Sequence, residues 1–279
     1  MPLTFPAHQA AVLPIKLRWP NRTDATAMCI GAAAPDLLKP APAIGLYSHS
    51  VIGVLVFAVP LTYVICTFLR RRSAQGVFAN LPDAGQLRLH SYRVIAQRRP
   101  STSTTLLSAL LGGWSHSFID AFTHEGGWGV DLLGLDVTLF TLPIRGAITG
   151  AKVLQYLGHG LGSLIAIGMF YYIGRSRCLE HWYGARAVRS ARSFSMPLKA
   201  RVQFWMVFAG VAAIISAGLI AVGGPAIFCI IDGIVAGALA AGALPIGGRD
   251  GLQPATVIVD MGDEPISPAG PGTQPDRSA

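Results

Sequence analysis

The chain has 279 residues, of which 52% are hydrophobic and 13% are charged. This composition excludes an ordinary soluble globular protein and indicates one membrane domain with several apolar helices. The net charge of +8 does not indicate a nucleic-acid partner, because the lysines and arginines stand in clusters between apolar runs, as in the cytoplasmic loops of membrane proteins.

Apolar segments and basic loops alternate along the chain. A proline-broken segment over residues 8–17 comes first and is too short to cross a bilayer, which takes about 20 helical residues. The predicted crossings are residues 26–38, 47–69, 104–128, 153–173, 203–222 and 225–246. The sequence therefore predicts an all-α, polytopic integral membrane helix bundle with about six transmembrane segments.

The distribution of basic residues predicts the orientation of this bundle. Loops 70–103 and 175–201 are rich in arginine, and residues 16–22 form a third basic patch. Positively charged loops tend to remain in the cytoplasm. This pattern predicts a bacterial inner-membrane protein with both termini in the cytoplasm and with loops 40–46 and 125–152 on the outer side.

The chain divides into a membrane part and a polar tail. The transmembrane helical domain is predicted over residues 1–247, with the polar residues of interest within about 1–175. Residues 248–279 are rich in Gly, Pro and Asp and contain no long apolar run. We therefore predict that this C-terminal tail is disordered.

Segment 104–128 combines a membrane-spanning length with three ionisable residues. His116, Asp120 and His124 are spaced four residues apart, which places them along one face of a helix. Ionisable groups inside a membrane span are energetically costly and indicate a functional role. The segment predicts a polar stripe to which other parts of the chain contribute.

The predicted topology brings three more ionisable residues to the same side of the membrane. Asp36 stands at the outer end of the first crossing and His49 at the outer start of the second. His159 lies about two helical turns into the fourth crossing. Together with the stripe, these residues place six ionisable side chains in the outer half of the membrane, and we expect them to form one site.

Imidazole and carboxylate groups together are the ligands of catalytic zinc and of non-haem iron or manganese. Catalytic zinc keeps an open position, at which it lowers the pKa of bound water to about 7. A binuclear site needs five or more ligands, and the number of candidates permits one. Ser48 and Ser115 each precede a histidine and are predicted to orient its ring. No GxSxG, P-loop or HExxH motif indicates a serine or nucleotide hydrolase.

Five parts of the sequence stand out together: MPLTFPAHQAAVLPIKL, IGAAAPD, YSHSVIGVL, SHSFIDAFTHEGGW and the later His159-Gly160. Through these segments the chain resembles the DUF4184 family of bacterial membrane proteins and, more distantly, the predicted membrane-bound metal-dependent hydrolases. The resemblance covers about residues 1–175 and implies a polytopic inner-membrane protein with a metal site. The chain departs from the family pattern at Leu37-Leu38-Lys39, which follows Asp36.

The resemblance also implies that His8 belongs to the site, whereas charge counting places the N-terminus in the cytoplasm. A re-entrant hairpin reconciles the two. Residues 8–17 would descend into the membrane from the outer side, and the helix would break near Pro14–Pro20. Residues 25–36 would then return to the outer side. His8 and Asp36 would then lie at similar depth. The alternative is a cytoplasmic His8 that is not part of the site.

These observations favour a membrane-embedded, metal-dependent hydrolase that cleaves an ester or phosphoester of a lipid or lipid-linked substrate. The cofactor is expected to be a divalent metal, preferably zinc. The expected ligands are His49, His116, Asp120, His159 and, from the resemblance, His8. Asp36 and His124 are expected to act as ligands or as general acid and base.

Two other functions use the same residues. A transporter or proton-coupled channel could use the His/Asp cluster as an ion site or relay, with a polar path past Asp232. A membrane scaffold could hold a structural metal. The sequence does not indicate an oligomeric state.

Overall fold

The computed structural model describes residues 4–45, 47–143, 146–193 and 196–245. This part of the chain is mostly helical. The helices are α1 (Thr4–Ala7), α2 (Gln9–Arg18), α3 (Ala25–Gly31), α4 (Ala34–Leu37), α5 (Pro42–Gly45), α6 (Val51–Gly53), α7 (Val59–Phe68), α8 (Ala74–Asn80), α9 (Thr102–Thr123), α10 (Trp128–Leu133), α11 (Gly150–Arg175), α12 (Cys178–Tyr183), α13 (Ala185–Arg192), α14 (Leu198–Ala221) and α15 (Ala226–Gly242). The predicted tail lies outside the described residues.

The remaining elements are short. Two π-helical segments, Val54–Ala58 and Leu69–Ser73, join α6, α7 and α8 into one continuous helix, and two 3-10 segments, Gly85–Leu87 and Leu89–Gln97, follow it. Strands β1 (Thr138–Leu142) and β2 (Gly146–Thr149) form an antiparallel hairpin. The all-α prediction missed this hairpin, because β-branched and aromatic residues favour strands only when a partner strand is near.

Within the described residues, three helices are long and apolar enough to cross a membrane: Val51–Asn80, Gly150–Arg175 and Leu198–Ala221. Helix α15 is apolar but has only 17 residues. The predicted crossing at residues 26–38 is divided between the short helices α3 and α4. Length and composition thus support three crossings, and the count of six stays a prediction.

Residues 8–36 form a helical hairpin. Helix α2 packs against α3 and α11, and a turn between them carries the chain back. The Lys16 ammonium group donates to the carbonyl oxygen of Thr23 at 2.7 Å and lies 5.1 Å from the centre of the Trp182 ring. This end of the hairpin therefore contacts the arginine-rich loop 175–201.

A buried ion pair anchors the turn of the hairpin. Arg70 donates from Nη2 to both carboxylate oxygens of Asp24, at 2.6 and 2.5 Å. The same carboxylate accepts from Thr105 Oγ1 at 3.0 Å and from the backbone N–H of Ala27 at 3.3 Å, which caps α3. The Asp24 N–H donates to Ser108 Oγ at 2.9 Å. Asp24 thus connects the hairpin to helix α9 and to the helix that contains Arg70.

Glycines allow α3 and α9 to pack with their backbones almost in contact. A Cβ atom added to Gly112 would lie 2.4 Å from the carbonyl oxygen of Met28, and one added to Gly31 would lie 2.4 Å from that of Ala109. Such distances exclude any larger side chain unless the backbones separate. The close packing brings the residues after α3, which include Asp36, next to the polar face of α9.

Helices α14 and α15 form an antiparallel pair that contacts the rest of the bundle at both ends. Small residues at Gly233 and Gly237 bring the two helices together, as in other membrane helix pairs. At one end Lys39 lies 4.6 Å from the ring centre of Phe228. At the other, Ser73 donates to the carbonyl oxygen of Leu239 at 2.6 Å.

Candidate metal centre

Four ionisable side chains from three parts of the chain converge in the bundle. Asp36 comes from α4, His49 from the turn before Val51–Asn80, and His116 and Asp120 from successive turns of α9. One nitrogen or carboxylate oxygen of each lies within 4.8 Å of the others. His116 is fully buried, and Asp36 and Asp120 are 5% and 6% exposed. The four residues could hold a metal ion.

Five of the six distances among these atoms are close to the edges of a coordination tetrahedron, and the sixth, between the Asp36 and Asp120 oxygens, is within 4.8 Å. Nε2 of His49 lies 3.1 Å from Nε2 of His116, 3.3 Å from Asp36 Oδ1 and 3.5 Å from Asp120 Oδ2. Nε2 of His116 lies 3.2 Å from Asp120 Oδ2 and 3.7 Å from Asp36 Oδ1. Ligands bound tetrahedrally at 2.0–2.2 Å from a zinc ion are about 3.3–3.6 Å apart. The four atoms therefore surround a position of suitable size.

Hydrogen bonds orient both imidazoles toward this position. Nδ1 of His116 lies 2.8 Å from the carbonyl oxygen of Ala32, which can only accept, so this nitrogen carries a proton. The Ser48 hydroxyl donates to the carbonyl oxygen of Gly45 at 3.0 Å and accepts from Nδ1 of His49 at 2.9 Å. In the neutral rings, Nε2 then presents a lone pair to the centre. Two imidazole lone pairs and two carboxylates facing each other require a cation or added protons.

The two serines expected to orient histidine rings behave differently. Ser48 does contact His49, as described above. Ser115 instead donates to the carbonyl oxygen of Gly112 at 2.8 Å within its own helix, and the backbone at Ala32 orients His116. A serine in a helix readily bonds to the preceding turn, so adjacency to a histidine in the sequence did not predict its partner.

Lys39 is a member of the site that the sequence reasoning missed. Its Nζ lies 2.7 Å from Asp36 Oδ1, and its side chain is 24% exposed. The signal was present, since a lysine three residues after an aspartate shares its helix face. The departure from the family pattern at Leu37-Leu38-Lys39 therefore places a positive charge at the edge of the site.

Two of the other expected site residues, His8 and His124, lie near the second carboxylate oxygen of Asp120. The His8 ring stacks on that of His116, with centroids 4.0 Å apart, and its Nε2 lies 3.6 Å from Asp120 Oδ1. Nδ1 of His124 lies 3.5 Å from the same oxygen, and its Nε2 contacts the Gln155 amide nitrogen at 2.7 Å. The His159 ring centroid is 6.3 Å from that of His8.

This geometry differs from the expected grouping in one respect. Asp36, rather than His159, lies with His49, His116 and Asp120 in the set of four. His8 lies in the site, and residues 8–36 leave the cluster and return to it, which is the path expected of the hairpin. Asp232, considered as a relay residue, lies on α15, and its Oδ1 has no hydrogen-bond partner among the described residues.

Comparison with known proteins identifies the family. The model described as "Domain of unknown function (DUF4184)" matches residues 1–244. The match contains every expected site residue and extends beyond residues 1–175, which carry the resemblance seen in the sequence. Searches of curated proteins and of solved structures found no match, so the similarity to metal-dependent hydrolases stays an expectation. The chain belongs to the DUF4184 family.

Proposed function

We propose that this protein is a membrane-embedded, metal-dependent hydrolase that cleaves an ester or phosphoester bond in a lipid or lipid-linked substrate. The observation that carries the proposal is the convergence of two imidazole nitrogens and two carboxylate oxygens at tetrahedral spacing in a buried position. A buried group of this kind is strongly destabilising unless a cation or protons compensate its charge.

Zinc suits the donor set. Asp36, His49, His116 and Asp120 supply two nitrogens and two oxygens, which zinc accepts in tetrahedral geometry. A zinc ion can add a fifth ligand in the transition state and acidifies a bound water to a pKa of about 7. When bound, such an ion would supply a nucleophilic water, and the side chains of the protein would have to bind the substrate and provide a proton for the leaving group.

Two side chains at the edge of the cluster suit these tasks. Lys39 carries a positive charge beside Asp36 and would attract an anionic substrate group. In the reaction, the water oxygen bonds to the carbonyl carbon or phosphorus, the bond to the alcohol oxygen breaks, and that oxygen takes up a proton. We assign the proton to His124, whose side chain is 36% exposed and is held by Gln155.

A lipid substrate is supported by the apolar surface beside the site. The loop that begins after His124 contains α10 and the β-hairpin, and all five residues of β1 are exposed. Leu139 and Phe140, on opposite faces of that strand, are 59% and 51% exposed, and Leu132 of α10 is 71% exposed. An exposed apolar surface of this kind indicates contact with lipid or protein. Helix α11, which contacts β2, also exposes Leu157 and Leu161.

We further propose six crossings in a bacterial inner membrane, with the site near the outer surface. The basic loops that should lie in the cytoplasm contact one another at the end of the bundle opposite the site. Arg98 donates to the carbonyl oxygen of Tyr183, and Arg93 donates to that of Ala191. The N-terminal hairpin would then enter from the outer side, which leaves its buried turn at Asp24 surrounded by protein, as required at membrane depth.

The hairpin loop provides a test of the lipid substrate. We expect Phe140→Ser to lower the turnover of a phospholipid in mixed micelles by about tenfold, because burying such a side chain in lipid contributes about 1.5–3 kcal/mol. Turnover of a water-soluble nitrophenyl ester or phosphate should not change. Thr141→Ser, in the same exposed strand, is the matched control. Equal losses on both substrates would indicate a damaged site rather than a lipid contact.

The hydrolase itself is tested by metal removal. Purified protein in detergent should release its metal to a chelator, lose its hydrolytic activity, and regain it with added zinc. The assay should include nitrophenyl esters, nitrophenyl phosphate and phospholipids. Bound metal without turnover of any ester or phosphoester would favour the ion site of a transporter. Absence of metal from the native protein would contradict the proposal.

A further inference from the structure

We propose that the site holds a second divalent cation, with Asp120 as the bridging carboxylate and His8 as the further protein ligand on the second ion. This inference rests on the proposed function and specifies its substrate as a phosphoester. It concerns a part of the cluster outside the group of Asp36, His49, His116 and Asp120 Oδ2.

The two oxygens of Asp120 face different sets of histidines. Oδ2 lies 3.2 Å from Nε2 of His116 and 3.5 Å from Nε2 of His49. Oδ1 lies 3.6 Å from Nε2 of His8 and 3.5 Å from Nδ1 of His124. A carboxylate with nitrogen atoms near both oxygens is arranged to bridge two cations.

The stacking of two histidines indicates how far apart the cations would lie. The rings of His8 and His116 are stacked with centroids 4.0 Å apart and planes inclined by 28°. Each ring directs its Nε2 toward a different oxygen of Asp120. Nearly parallel rings at this distance suit cations at a similar spacing, and metal pairs in hydrolytic enzymes lie about 3.5–4 Å apart.

The polar atoms around the second position lack other partners. Both ring nitrogens of His8, Nδ1 of His159 and Oδ1 of Asp120 are buried and have no hydrogen-bond partner among the described residues. Such atoms are rare in proteins, because leaving a buried polar group unpaired is unfavourable. A cation bound by Nε2 of His8 and by Asp120 Oδ1, which lie 3.6 Å apart, would satisfy two of them together.

A pair of cations specifies the chemistry. Two metals stabilise both the attacking and the leaving oxygen of an in-line displacement at phosphorus. A water oxygen bonds to phosphorus, the phosphorus–oxygen bond to the alcohol breaks, and the alcohol oxygen takes a proton from His124. The products are an alcohol and a phosphate, and Lys39 adds positive charge for the anionic substrate. We therefore assign a lipid phosphoester, rather than a carboxylic ester, as the substrate class.

Metal stoichiometry tests the second position. The full-length protein, purified in detergent and loaded with zinc or Mn²⁺, should contain about two ions per chain by elemental analysis. His8→Phe keeps an aromatic ring against His116 but cannot bind a metal, and it should lower the content to about one. His181→Phe removes an exposed histidine of α12 and should leave about two.

The wild-type protein loaded with Mn²⁺ provides a second test of the second cation. Two Mn²⁺ ions bridged by Asp120 should give an exchange-coupled electron paramagnetic resonance spectrum, whereas a single ion gives an isolated six-line signal. One ion per chain, or an unchanged content in His8→Phe, would overturn the second position and leave the proposed hydrolase intact. Absence of metal together with absence of hydrolysis would overturn both.

Discussion

Replacing Asp120 by alanine is expected to remove the bound metal and to lower hydrolytic activity by about 10²–10⁴-fold, since the stabilisation supplied by a catalytic metal amounts to several kcal/mol. Asp120 contacts both His116 and His49 through one oxygen and His8 through the other. Its loss therefore removes a ligand and leaves Asp36 as the one carboxylate beside His49 and His116. Elemental analysis and turnover of nitrophenyl phosphate measure the two effects.

Two further variants separate metal binding from damage to the fold. Asp120→Asn keeps the volume of the side chain but removes its charge, and it should bind metal at least about 10–100-fold more weakly. Asp136→Ala removes an exposed carboxylate of the loop beside the site and should retain both metal and activity. If Asp120→Ala kept its full metal content, Asp120 could not be a ligand.

Replacing Arg70 by alanine is expected to lower the free energy of unfolding by about 3–5 kcal/mol, the range for breaking a buried ion pair. Arg70 is 8% exposed and Asp24 is 3% exposed. Without the guanidinium group, the Asp24 carboxylate would remain buried with only Thr105 and a backbone N–H as donors. Unfolding of the detergent-solubilised protein, followed by circular dichroism, measures the loss.

The neighbouring arginines are matched controls for this variant. Arg71 and Arg72 are exposed on the same segment, and replacing either with alanine should change stability by less than about 0.5 kcal/mol. The double variant Asp24→Asn with Arg70→Met should recover much of the loss, because no charge is left buried. A small effect of Arg70→Ala alone would mean that water reaches the Asp24 carboxylate.

The ion pair is also relevant to the site at the other end of the hairpin. His8 begins the descending arm and Asp36 follows the ascending one, and α2 alone has 10 residues, about 15 Å of helix. Fixing the turn at Asp24 therefore helps to hold both residues against α9. Three basic residues near the turn are compatible with a buried hairpin, because Lys16 bonds to the turn, Arg18 lies over the Trp19 ring and Arg22 is exposed.

Most of the ionisable residues of the site could be predicted from the sequence. His116, Asp120 and His124 are four residues apart, and helical spacing places them on one face without any tertiary information. The alternation of loops then assigned Asp36, His49 and His159 to the same end of the bundle. In the structure Asp36 and His49 lie with His116 and Asp120, and the centroid of the His159 ring lies 6.3 Å from that of His8. The sequence could not show which of these residues form the group of four, however, and Asp36 takes the place in that group that was expected for His159.

Other features required the fold. Strands β1 and β2 lie in a loop that carries only a weak signal, because strands are stabilised by cross-strand partners rather than by local preference. In the sequence Lys39 is only a departure from the family pattern, and its contact with Asp36 depends on the turn that follows α4, in which the Lys39 N–H donates to the carbonyl oxygen of Asp36 at 3.1 Å. In the sequence Arg70 is one of three arginines that end a predicted span, and no local feature of the sequence distinguishes it from Arg71 or Arg72.

By itself the sequence determined the membrane class of the protein and the kinds of ligand in its site, because hydropathy and helical spacing are local properties. Only the tertiary structure decided which residues meet. Arg70 pairs with Asp24 across 46 positions, and His116 is oriented by Ala32 across 84 positions. Such pairings depend on the close approach of α3 and α9 at Gly31 and Gly112, where packing of two backbones sets the distance between side chains far apart in the chain.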